Sequence, residues 1–154
     1  MRTAYRVVAY LIAAGVAVQA AAIAFGLFGL SKWIEDGATV DKSSIEDASF
    51  NGSAGFSIHF ITGTMIIPVL AIVFLIFSFF AHVRRSVLWA GLVLLLVIVQ
   101  VLLGFLSFVV PGLGALHAIN ALAILVLAIV AARVGPVPRR SGQATPSGTN
   151  EARV

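Results

Sequence analysis

The chain has 154 residues, 60% of them hydrophobic and 10% charged, with no cysteine and a formal net charge of +4. A mean hydropathy of +1.08 excludes a water-soluble globular domain, because so few charges cannot clothe so much apolar surface. The lack of cysteine excludes disulfides and thiolate metal sites.

Four apolar runs, about 5–30, 56–81, 87–109 and 112–133, each exceed the roughly 20 residues that a helix needs to cross a bilayer core. They lack the polar–apolar alternation of membrane strands. The expected fold is all-α, a single integral-membrane up-down four-helix bundle over 1–134. The first run follows a basic flank, as a secretory signal does, but is too long for a signal core and reads as a retained first helix. Tyr5, Tyr10, Trp33 and Trp89 fit interfacial aromatic belts. Residues 31–55 form the one sizeable loop, with a short amphipathic turn expected around Ser43–Phe50. "HVRRS" and "VVPG" are tight connections, so the second, third and fourth helices are antiparallel neighbours. Pro68 predicts a kink in the second helix that frees the carbonyl of Thr64. The tail 135–154, rich in Pro, Gly, Ser and Thr, is expected to be disordered.

Charge sets the expected orientation. Arg2, Arg6, Arg84, Arg85, Arg133, Arg139, Arg140 and Arg153 all fall on one side of this topology. The loop 31–55 carries Lys32 and Lys42 against Glu35, Asp36, Asp41, Glu46 and Asp47. The positive-inside rule puts both termini in the cytoplasm and the loop outside, as in a bacterial plasma membrane. The high pI therefore records topology; the arginines are split among short segments with no aromatic platform, which argues against nucleic acid as a partner.

Polar side chains within a span need partners, and few are present here. His59 in the second helix and His117 in the fourth lie at matching depth, about 6–9 Å below the loop-side end, on helices running the same way. Four residues after each stands a small residue, Gly63 and Ala121, and Gly104 follows Gln100 at the same spacing. Two facing imidazoles above missing side chains leave a flat slot for a porphyrin. The same pattern also serves close helix packing, with the histidines bonded across the bundle to Asn120 or Ser57. Gln19 and Gln100 are expected near mid-membrane, bonded to each other. His82, about 34 Å beyond His59 along the chain's helix, is expected in solvent. "VQAAAIAFG" and "VQVLLGF", each followed by a histidine-bearing helix, hint at a repeated hairpin.

"IHFITG" (58–63), "VQVLLGFLSFVV" (99–110) and "ALHAINALAILVL" (115–127) resemble one four-helix half of haem A synthase. The layout is also similar to that of small four-helix membrane proteins of bacteria. The haem A synthase resemblance implies a haem near the outer face, ligated by His59 and His117, with Gly63, Ala121 and Gly104 lining it. The departures are specific. Only one half is present, Phe60 stands where the family commonly has arginine, no acidic residue precedes His59, and the loop lacks the cysteine pair. A cradle without recognisable groups for oxidising a haem methyl implies a b-type haem protein of electron transfer or haem handling rather than an enzyme. The alternative is a cofactor-free accessory subunit of a respiratory or biogenesis complex. Expected partners are the lipid bilayer, haem, and a membrane protein or a second copy, since a homodimer would restore the family's two halves.

Overall fold

In lipid every backbone N–H and C=O must be satisfied within the chain, which leaves helices as the form for runs of this length. The computed structural model describes residues 1–41 and 50–136. Four helices stand in it: α1 (Arg2–Glu35), α2 (Ala54–Ser78), α3 (Ser86–Leu106) and α4 (Leu113–Arg133). All four are long and apolar enough to cross a membrane, and no strand occurs among the described residues. The turn expected around Ser43–Phe50 falls, except for Phe50, outside the described residues, as does the tail beyond 136.

α1 outruns the predicted 5–30 at both ends. Its 34 residues reach about 51 Å, well beyond a hydrocarbon core of about 30 Å. Hydropathy marks where lipid ends, and α1 continues past that point through "SKWIE", with Lys32 bonded to Asp36 at 2.6 Å. Gly37, at a φ of +100°, then stops the helix in a conformation that glycine adopts freely.

The helices pack as a square. α1 touches α2 and α4, α3 touches α2 and α4, and the pairs α1/α3 and α2/α4 lie on the diagonals. We name the two ends by their connections, the loop end (36–53 and 107–112) and the basic end (79–85). At the basic end the α2–α3 turn uses left-handed backbone at His82 and Arg85, and Val83 forms an antiparallel bridge with Pro136. His82 is exposed there, as its position beside Arg84 and Arg85 predicts.

The main buried cluster occupies the basic half. α1 contributes Tyr5 to Val16, α2 Ile67 to Phe74, α3 Ala90 to Val97, and α4 Ile124 to Ala132. The Tyr5 and Phe74 rings lie 4.6 Å apart between centres, tilted by 33°. In α3 no residue beyond Val97 is buried, and in α4 none before Ile124. Above that level burial is confined to the α1–α2 side, at Gln19, Ala22, Gly26 and Gly55, and the two histidines are half-buried. The outward faces, carrying Leu11, Val18, Val69, Leu95 and Val126, are apolar and exposed, as a lipid-facing surface requires.

Candidate functional site

His59 lies five residues into α2 and His117 four into α4, so both imidazoles stand about 6–8 Å from the loop-end start of their helices. Diagonal placement turns them toward each other across the bundle. Their ring centres are 6.2 Å apart and their planes inclined by 55°.

Each ring is held in the same way. His59 Nδ1 lies 3.1 Å from the backbone oxygen of Gln19, and His117 Nδ1 lies 3.0 Å from that of Gln100. A carbonyl only accepts, so Nδ1 carries a proton in both rings, and in the neutral form of either imidazole the lone pair lies on Nε2. A ligating histidine is oriented in this manner, the far nitrogen tied to a carbonyl and the near one left basic. The bonds to Asn120 or Ser57 that the sequence allowed do not form; backbone carbonyls hold both histidines instead.

The two glutamines do not bond to each other. They lie on diagonal helices, and Gln100 Oε1 instead accepts from Asn120 Nδ2 at 2.7 Å, which also donates to the Leu96 carbonyl at 2.9 Å. Gln19 is 8% exposed and its Nε2 has no partner among the described residues.

The small residues have distinct neighbours. A Cβ on Gly104 would stand 3.2 Å from Cε1 of His117, so this glycine makes room for the ring from the facing helix. A Cβ on Gly63 would stand 3.0 Å from Gln19 Oε1, so the space there serves the glutamine side chain. Ala121 packs on the loop-end edge of the core.

A π-helical turn, Thr62–Ile66, interrupts α2 just beyond His59. The interior positions His59, Gly63, Ile67 and Ala71 are spaced by four. In a regular α-helix those twelve residues would drift about 120° from one face, and one extra residue absorbed in a wide turn removes about 100° of it. The π turn thus keeps His59 on the face that carries Ile67 and Ala71. Pro68 sits in the first turn of the α-helix that resumes, where its missing N–H matters least. The π turn ends just before Pro68, where the sequence predicts a kink that frees the Thr64 carbonyl.

The hairpins α1–α2 and α3–α4 repeat the arrangement. Gln19–His59 corresponds to Gln100–His117, and the contact of Gly26 with the Phe56 ring corresponds to that of Ser107 with Gly114. The histidine-to-carbonyl separations, 40 and 17 residues, differ because α1 runs further past its glutamine than α3 does and the 36–53 connection is longer than 107–112.

Among the described residues no cluster of three or more His, Cys, Asp or Glu could hold a metal. A separate cavity of about 390 Å³, lined by Phe25, Phe28, Trp33 and Phe50 with Lys32 and Asp36, lies at the end of α1, away from the histidines. Searches of family models, of curated proteins and of solved structures find no match to this chain.

Proposed function

We propose that the chain is a small membrane protein that binds a b-type haem between His59 and His117 and acts in electron transfer or haem handling. The observation that carries this reading is the opposed imidazole pair, 6.2 Å between centres, with both Nδ1 atoms engaged by carbonyls. The half-buried setting of both histidines, on helices that bury nothing between Val97 and Ile124, is consistent with a group held between them. His59 and His117 would hold the haem, which when bound would supply a one-electron couple. The chain's own contribution is to hold the two rings, keep Nε2 basic through the Gln19 and Gln100 carbonyls, and exclude water with lipid-facing helices. In this reading the loop 31–55 lies outside a bacterial plasma membrane and the arginines lie in the cytoplasm.

A second reading, a cofactor-free accessory subunit, draws on Asn120, whose bonds to Gln100 and Leu96 tie α4 to α3 without any ligand. The visible spectrum of the protein purified in detergent from haem-sufficient cells separates the two. The haem reading expects a Soret band with sharp reduced α and β bands that weaken on substitution of either histidine. A colourless protein that also refuses added haemin would sink it.

A further inference from the structure

Charge is divided unevenly between the two ends of the bundle. All the described carboxylate side chains, Glu35, Asp36 and Asp41, lie at the loop end, where Lys32 pairs with Glu35 and Asp36. The basic end carries Arg2, Arg6, Arg84, Arg85 and Arg133, and among the described residues none of these has a carboxylate partner. Uncompensated positive charge at the rim of an apolar bundle attracts anions.

Three of the arginines converge on one short segment, residues 134–136, which follows α4. Arg133 precedes it. Arg6 Nη2, from α1, lies 3.5 Å from the Val134 carbonyl. The Arg84 N–H donates to the Gly135 carbonyl at 3.2 Å, beside the bridge between Val83 and Pro136. α1 and α4 are neighbours in the square, so Arg6 and Arg133 stand at one seam between helices. Arg6 is half-buried, and so long a contact with a neutral carbonyl leaves its guanidinium charge unpaired. One turn further into the bundle the same two faces become apolar. Tyr10 follows Arg6 by four residues, Val130 precedes Arg133 by three, and both are exposed. Cationic groups with an exposed apolar strip one turn deeper suit an anionic amphiphile better than a free anion.

We propose that the α1–α4 seam at the basic end binds the phosphodiester headgroup of an anionic phospholipid of the phosphatidylglycerol class. Arg6 and Arg133 hold the phosphate, whose oxygens match the planar guanidinium fork. Arg84 adds charge nearby, and the acyl chains lie along Tyr10 and Val130. The inference rests on the membrane-spanning reading of the bundle and is independent of what the histidines hold.

The probes are dioleoylphosphatidylglycerol, dioleoylphosphatidylcholine and inorganic phosphate, each titrated into the delipidated full chain in dodecylmaltoside, with bound lipid counted by native mass spectrometry. Phosphatidylglycerol should bind at least about tenfold more tightly than phosphatidylcholine, given the attraction that each close arginine contributes. Excess inorganic phosphate should not displace it. Arg6→Gln should weaken phosphatidylglycerol by about fivefold or more. Arg85→Gln, which removes the same charge from the diagonally placed α3, should weaken it by less than about twofold. Should Arg6→Gln not fold, Arg133→Gln, at an exposed position, carries the same expectation. Equal affinity for the two lipids, displacement by inorganic phosphate, or equal effects of the substitutions at the seam and at Arg85 would each overturn the inference. None of these outcomes touches the haem reading. A chain that stays in solution without detergent overturns the membrane reading and this inference with it.

Discussion

Gly91 and Gly104 lie on the same helix, and replacing each by alanine should move stability in opposite directions. Alanine removes the conformational freedom of glycine in the unfolded chain, a gain of about 0.5–1 kcal/mol within a helix. At Gly91 nothing lies within 4 Å of the new methyl, so the gain should appear whole. At Gly104 the methyl would stand 3.2 Å from Cε1 and 3.4 Å from Nδ1 of His117. That ring cannot recede without lengthening its 3.0 Å bond to the Gln100 carbonyl, and overpacking of this kind costs about 1–3 kcal/mol. Gly91→Ala should therefore be more stable than Gly104→Ala by about 1–3 kcal/mol. Reversible unfolding in mixed dodecylmaltoside and dodecylsulfate micelles measures the difference. Nuclear magnetic resonance of ¹⁵N-histidine-labelled protein should show the Nδ1 proton of His117 displaced in Gly104→Ala alone. Equal stabilisation by both substitutions, with that proton unmoved, would refute the packing of Gly104 against the imidazole.

The Asn120–Gln100 bond can be weighed by a double-mutant cycle with Asn120→Leu and Gln100→Leu; a coupling of about 0.6–1.7 kcal/mol is expected from interhelical bonds in membranes, and additivity within experimental error would remove the network. Deletion of Met65, an exposed residue in the π turn, should convert α2 to a continuous α-helix with His59 still about 20° from the Ala71 direction, and the variant should retain both Nδ1 resonances. Deletion of Leu102 from the regular α3 rotates Gly104 by about 100° relative to the core below it and should abolish the His117 resonance; the reverse pattern would contradict the register assigned to the π turn.

The four spans were legible because lipid imposes a long apolar run on each, and the errors lie where lipid ends, as in "SKWIE" of α1. The matching depth of His59 and His117 was legible too, since antiparallel order fixes it without knowledge of a single contact; that the rings face each other also depends on the π turn. What holds the rings was not, because a backbone carbonyl has no letter of its own; any residue at positions 19 and 100 would supply one. The π turn left a faint trace in the four-residue spacing of interior positions from His59 to Ala71, which a regular helix cannot keep on one face. The difference between Gln19 and Gln100 was written one step away, in Thr62 and Asn120, and gains meaning only once the two hairpins are superposed in thought.

Each hairpin holds one imidazole and the carbonyl that orients it, and neither holds both imidazoles. Any occupant gripped by the two rings is therefore also a clasp between the hairpins, and its affinity and their docking are one linked equilibrium. An occupant at a hundred times its dissociation constant would strengthen that docking by about 2.7 kcal/mol. Assembly and loading would then be a single event in the life of the chain.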